Sequence, residues 1–335
     1  DSKEQSVNYS AGTGNYSPRQ LFAETISDAV AEHNEQSIVR TIAVDPLSAI
    51  VMAGHAGEVY WMENLQTDWT TSSYYTKELP RWISEYNRND TNESFMLKSW
   101  TPLLKLDDYL NSQVISINVD KGNSRKNLKV LTDEKPLASG SLVDIYEQMC
   151  YTPAGNTMLL KFASQMVLQG ELGSDENTDI LNICLDTARY IAETYGPESI
   201  EYEDMLYRLD ADIAEFLTTI YAKVGSQRDV LVVLTSDHGT SPSYNPVGGK
   251  EHDRFNTRQM EVIVNAFLGA RYGSDHYVMG FANNALYLNH RILLEKHLAI
   301  EVIREEVATF MLQLRGISSA ISASSLRNTS FAEGR

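Results

Sequence analysis

Cysteine is scarce in this chain: Cys150 and Cys184 are the two, and they stand in neither metal-binding nor redox spacing. That excludes a zinc finger and a disulfide framework, and leaves one buried pair or two buried thiols. Positive charge is also short, with 28 Lys and Arg against 45 Asp and Glu and a formal net charge of -17. A field of that sign repels nucleic acid and anionic membrane surfaces, so neither is an expected partner. A phosphate-bearing substrate would need local metal or basic groups. No apolar run is long enough to cross a bilayer, and the N-terminus, DSKEQSVNYSAGTG, has none of the parts of a signal peptide. An initiator Met is missing too, so the chain is expected to be a processed or truncated piece of something longer. The tail ISASSLRNTSFAEGR reads as a cut end, and there is no internal repeat or low-complexity run.

What is present is a large apolar complement in alternating strand and helix patterns. At 335 residues and 42% hydrophobic, the chain can bury a sizeable core. SPRQLFAETISDAVAEHN reads as a helix, with Ser17 as N-cap, Pro18 at the first helical position and an apolar stripe of Leu21, Phe22, Ile26, Ala29 and Val30. SIVRTIAV, residues 37–44, follows as a central strand. A second unit runs TMLLKFASQMVLQGE (helix), DILNICLD (strand), SIEYEDMLYRLDADIAEFLTTIYAKVG (helix) and DVLVVLTS (strand). In its long helix Met205, Leu209, Ile213, Phe216 and Ile220 share one face. This βαβ order predicts an α/β fold with a mostly parallel sheet. Residues 60–150 have little sustained periodicity and read as an inserted cap or long loops. AIEVIREEVATFMLQLRG is a last amphipathic helix closed by Gly316.

Chemistry concentrates at LTSDHG, residues 234–239, which closes the apolar run DVLVVL. That run predicts a strand buried on both faces. The carboxyl ends of such strands are where open α/β sheets bind ligands, and Asp237 with His238 could hold zinc through oxygen and nitrogen. The same residues also suit a plain turn, with Asp237 capping and Gly239 at positive φ.

Several blocks in order carry a family resemblance: SPRQLFAETISDAV, IVMAGHAGEVYWM, TSSYYTKELPRWI, GNTMLLKFA, YGPESIEYEDMLYRLDADIAEFL, LTSDHG and ALYLNH. The chain resembles the alkaline phosphatase superfamily, and within it the phosphate-irrepressible alkaline phosphatases grouped with the type I phosphodiesterases and nucleotide pyrophosphatases. That resemblance implies that residues 1–335 are the internal part of one alkaline-phosphatase-like domain, a doubly wound α/β core with two zinc ions at the carboxyl edge of its sheet. It implies hydrolysis of phosphate mono- or diesters through a Ser or Thr phospho-enzyme, a phosphate-ester small molecule as partner, and export to the periplasm or cell surface. Asp237 and His238 fall on the family's zinc-binding pair.

Elsewhere the chain departs from the family. At the positions of the other zinc's Asp and His stand Arg189 and Glu193, in CLDTARYIAETYGP. An arginine is a fixed cation where the family holds a dication. At the phosphate-contacting Lys and Arg positions stand Asp45 and Leu47, which replace attraction with repulsion. By the same resemblance the nucleophile strand lies before Asp1 and the last His ligand after Arg335, so no catalytic nucleophile is assigned.

Other conspicuous residues read as structural. His55 is expected to be a hydrogen-bonded structural histidine, His252 an exposed loop residue, and Arg189 with Glu193 an i, i+4 ion pair. Asp186 with Glu193 offers a less natural substitute ligand set. The aromatics Tyr60, Trp61, Trp69, Tyr74, Tyr75 and Trp82 are expected in a cap core, and Glu201, Glu203 and Asp204 on a solvated face. Two functions follow: a phosphate-ester hydrolase seen in part, or a pseudo-phosphatase that keeps the fold as a binding or structural module. The four departures favour impaired activity.

Overall fold

The computed structural model describes residues 4–7, 15–63, 68–89, 100–110, 146, 150–240, 257–282 and 284–328. They divide into two compact units, residues 1–245 and 246–335. The first is built on a sheet of order β3-β2-β1-β4: β1 (Val39–Ala43), β2 (Glu58–Met62), β3 (Trp69–Thr70) and β4 (Ile180–Cys184). β1 pairs parallel with both β2 and β4, and only the short β3 is antiparallel. The expected mostly parallel α/β sheet is therefore what forms.

Alternation along β1 sorts the two faces. Ile42, with Tyr60 and Met62 from β2, enters a core closed by helix α4 (Ala154–Gln169) through Met158, Leu159 and Phe162, and by α6 (Ile200–Val224) through Phe216. Ala43, Val59 and Trp61 face the other way, onto Ala49, Ile50 and Ala53 of α2 (Pro46–Ala53). Asn182 of β4 donates to Thr41 Oγ1 and to Ser27 Oγ of α1 (Ile26–His33) on that same side. Helices thus cover both faces, as a parallel sheet requires. α3 (Arg81–Arg88) contributes Ile83 to the first core, while α5 (Thr187–Tyr195) gives Ile191 to a satellite core with Trp100, Tyr109 and Met205.

Three expectations change here. The segment 17–34 is not one helix: Ser17 caps a single 3-10 turn, Pro18–Gln20, and α1 begins later at a capping box between Thr25 and Asp28. Phe22 and Ile26 consequently lie exposed rather than in a buried stripe. Tyr60, Trp61 and Trp69 belong to β2 and β3, and Trp69 stacks on Phe162 at 3.8 Å. Of the stretch expected as an insertion, residues 64–67, 90–99, 111–145 and 147–149 lie outside the described residues. Most consequentially, 230–236 is not a buried strand. Val230 has strand dihedrals (φ -119, ψ 119), but among the described residues no ladder includes the segment. Leu231 and Val233 are 89% and 76% exposed.

The second unit has its own core. α7 (Thr257–Tyr272) packs Val264 and Leu268 against Tyr277, against Val278 of the hairpin β5 (Val278–Ala282) and β6 (Ala285–Leu288), and against Ile303 and Val307 of α9 (Ile300–Met311). α8 (His290–Glu295) and α10 (Ala323–Asn328) complete it, the latter tied by Ser325 Oγ to Glu305 at 2.6 Å. α9 ends at Met311, short of Gly316, which takes φ +91 in the following turn.

Candidate functional site

The carboxyl edge of the sheet gathers the residues singled out in the sequence, in altered roles. Two residues past β1, Asp45 caps α2: its Oδ1 accepts from the Leu47 and Ser48 amides at 2.6 and 3.1 Å, with Pro46 at the first helical position. Strand, Asp and Pro in that order are a helix-start signature, so this role was readable in the sequence. Leu47 is an exposed residue of α2.

Past β4, Asp186 is buried at the N-cap position of α5. It accepts from Ser48 Oγ at 2.6 Å and from the Asp45 amide at 3.2 Å, so the two helix starts are tied together. Burial pushes its carboxyl above the usual range, against the pull of those donors and of Arg189. Arg189, in the first turn of α5, lies 4.7 Å over the Tyr190 ring, and the Tyr190 hydroxyl donates to Asp45 at 3.3 Å. Burial works against the guanidinium charge, but Tyr190, Asp186 and Asp45 together hold it firmly protonated. The arginine is therefore the resident cation of this edge. The expected ion pair with Glu193 does not form; the Arg189 guanidinium lies over Tyr190 instead.

Asp237 and His238 lie on the extended segment rather than on a buried strand. Their side chains are 88% and 65% exposed, with Asp237 Oδ2 and His238 Nε2 3.6 Å apart. The Asp237 charge acts weakly on Cys184 at the end of β4. Burial first, then Asp186, Asp45 and Asp237, push that thiol up to about 12. Cys184 is in no disulfide and lies 3.0 Å from Met52 Sδ, and Cys150 is buried and in no disulfide. Among the described residues no group of three or more His, Cys, Asp or Glu side chains is placed to hold a metal ion. Asp186 and Glu193 belong to no such group, and His252 lies outside the described residues.

His55 is structural, as expected. Its amide donates to Asp28 Oδ1 at 2.7 Å and its ring nitrogens meet Asp28 Oδ2 and Leu21 O at 3.3 and 3.0 Å. Gly54 before it has φ +72, and a Cβ there would collide with the Asp28 carboxylate. That close approach explains the AGH block without any ligand.

A second acidic group is buried where a solvated face was expected. Asp204 is fully buried on α6 and accepts from Trp100 Nε1 (2.7 Å), the Leu103 amide (2.7 Å), the Tyr109 hydroxyl (2.5 Å) and Arg208 Nε (2.7 Å). Burial raises its pKa, but the four donors outweigh it and hold the carboxyl below its usual range. Glu203 accepts from the Leu110 amide and the Tyr207 hydroxyl. Beside them Glu201 is buried, and burial with the nearby Asp204 charge pushes its carboxyl up to about 7. These residues clamp the 100–110 segment onto the α6 N-terminus.

Against known proteins, residues 18–305 match the family described as type I phosphodiesterase / nucleotide pyrophosphatase. The alkaline phosphatase PafA of Elizabethkingia meningoseptica is 29% identical over 309 residues, which is 90% of this chain and 55% of that protein. A Myroides odoratus protein named calcium-transporting ATPase is 30% identical over 88% of this chain and 54% of its own length. A crystal structure of wild-type PafA superposes with a TM-score of 0.81 at 28% identity, covering 100% of this chain and 64% of that one. The chain thus spans about half the length of the curated relatives it matches. With a matching sequence over most of its length and the same α/β architecture, the chain belongs to the type I phosphodiesterase / nucleotide pyrophosphatase family, within the alkaline phosphatase superfamily.

Proposed function

We propose that these residues form part of the scaffold of a metal-dependent phosphate-ester hydrolase whose metal- and phosphate-binding edge has been rebuilt, so that this chain has little or no phosphatase activity of its own. The observation that carries the reading is Arg189. Its guanidinium lies 4.7 Å over the Tyr190 ring, and the charges of Asp186 and Asp45 act on it to keep it a fixed cation. A zinc ion beside it would meet a like charge, and the two aspartates already serve helix starts. The described donors do not fit a two-zinc centre: Asp237 and His238 form an exposed pair, with Arg189 and Glu193 in place of the second set. Asp45 and Leu47 offer a phosphoryl group no cation.

The same reading keeps a phosphate-ester small molecule as the ligand if activity persists, and zinc as the metal that the Asp237–His238 pair would recruit. It extends to residues 1–335 as the internal part of one alkaline-phosphatase-like domain, with a cap within 60–150. Export to the periplasm or cell surface rests on the family resemblance; among the described residues no helix is long and apolar enough to cross a membrane. The protein would then act as a binding or structural module. The test is elemental analysis of the purified chain together with turnover of aryl phosphate mono- and diesters. The expected result is less than about one tightly bound zinc per chain and negligible turnover, as loss of charge-stabilising groups implies. Two zinc ions per chain, or zinc-dependent hydrolysis, would overturn it.

A further inference from the structure

Residues 100–110 lie across the start of α6 as a strap. Trp100 and Tyr109 are its buried side chains, while Leu103, Leu106 and Leu110 are exposed. Asp204 accepts from the Trp100 indole, the Leu103 amide and the Tyr109 hydroxyl, and Glu203 accepts from the Leu110 amide. Arg208 donates to Asp204 at 2.7 Å and to the Thr101 carbonyl at 2.6 Å. A third acid, about one turn earlier on the helix, has no such partners. Glu201 is 4% exposed, and its spacing of three from Asp204 and four from Met205 puts it on their face of α6. Both neighbours are fully buried, and Met205 shares a core with Trp100, Tyr109 and Ile200. Among the described residues the donor to Glu201 is its own amide, and no cation acts on it. An ionised Glu201 would therefore be an uncompensated buried charge beside that of Asp204.

We propose that the strap is a proton-coupled latch: it stays down on α6 while Glu201 is protonated and lifts as Glu201 ionises, because the charged carboxylate reaches water by parting the strap from the helix. The other ionisable groups around this turn do not switch with it. Tyr109 on the strap and Tyr195 at the end of α5 are each pushed up to about 12, by burial first and then by Asp204 and Glu201 respectively. Burial raises Asp204, but its four donors hold it below the usual carboxylate range. Glu203 is fixed by the Leu110 amide and the Tyr207 hydroxyl. Lys105, Asp107 and Asp108 on the strap, with Glu193 and Glu198 on the α5 side, are exposed to water. The closed strap holds one proton more than the open one, since burial and Asp204 raise Glu201 from 4.5 to about 7. Opening should therefore rise with pH, by up to about tenfold per unit, between those values and level off above them. The latch is shut in mild acid and loosened at neutral pH. It is a motion of the fold and does not depend on whether the chain hydrolyses phosphate esters.

Hydrogen exchange by mass spectrometry on the 335-residue chain tests it, with rates corrected for the intrinsic pH dependence of amide exchange. Between about pH 5 and about pH 7 the protection of residues 100–110 should fall by roughly tenfold or more, and at every pH it should stay below that of β1, the mark of a local opening. In Glu201→Gln the strap should keep its acid-side protection, changing by less than about twofold over the same range, while Glu203→Gln should retain the response of the parent. The parent alone can defeat the proposal, by showing protection in 100–110 that is indifferent to pH or that coincides with β1, so that the strap opens only with the whole unit. A pH response that survives in Glu201→Gln, or that disappears in Glu203→Gln instead, would overturn it as well.

Discussion

The runs IVRTIAV and DVLVVL look alike as sequence, yet β1 is buried at four of its five residues while residues 231–234 lie open to solvent. Both are β-branched and aliphatic. The difference is in partners. β1 has β2 on one side and β4 on the other, with Ile42 fully buried against α4 and Ala43 against α2. The other run has the dihedrals of a strand at Val230 and no ladder among the described residues. Apolar content sets what a segment can do in a sheet, and pairing sets whether burial follows.

Substitution should expose that contrast at its largest. Ile42→Asp places an unpaired carboxylate in a fully buried site and should cost about 4–5 kcal/mol or more, enough to unfold the first unit. Val233→Asp should shift stability by less than about 0.5 kcal/mol, because the side chain is already in water. Urea denaturation followed by tryptophan fluorescence reads both, since Trp61 and Trp69 sit in the two cores flanking the sheet. Equal losses at the two positions would mean that 230–235 is packed after all.

The carboxylates repeat the lesson at smaller scale. Asp204 is buried with four donors, and Asp237 is exposed with His238 as its neighbour. Asp204→Ala leaves the Trp100 indole and the Tyr109 hydroxyl without an acceptor and should cost about 3 kcal/mol, while Asp237→Ala should cost close to nothing. The same denaturation measurement distinguishes them; a loss at Asp237 comparable to that at Asp204 would break the comparison.

Legibility followed the range of the interactions. β1, β4 and α6 were readable because their evidence is local: apolar periodicity, Ser199 as N-cap and Gly225 closing the helix in the left-handed region. The start of α1 was misread because Ser17-Pro18 is a valid start signal that here serves a 3-10 turn, while the capping box of Thr25 and Asp28 went unused. β2 and β3 were hidden among aromatics whose sheet partners lie elsewhere in the chain. Glu201, Glu203 and Asp204 read as solvated because the residues that cover them, Trp100 and Tyr109, come from about a hundred positions away. At the candidate site, the departures at Arg189 and Asp45 from the family's residues were legible in the sequence, and so was Asp45 before Pro46 as a cap on α2. The placing of Arg189 over Tyr190 needed the geometry.

The smallest effect separates two carboxyls three residues apart on α6, and it appears as opposite responses to pH. Asp204 has its folded pKa lowered below its usual value, so its stabilisation is present above the ordinary carboxylate range and is lost as pH falls through it. Glu201 is the reverse: burial raises its folded pKa from the model-peptide value of 4.5 to about 7, so the folded state holds the proton more tightly than the unfolded chain. Between those values the folded state binds more protons, and stability therefore falls as pH rises from about 4.5 to about 7. Glu201→Gln keeps the shape and removes the ionisation. The variant should be more stable than the parent by on the order of 1–2 kcal/mol above pH 7 and nearly equal to it below pH 4.5, with its urea midpoint flatter across the interval. If parent and variant run parallel over that range, Glu201 keeps an ordinary carboxyl pKa and the α6 N-terminus is wetter than its burial implies.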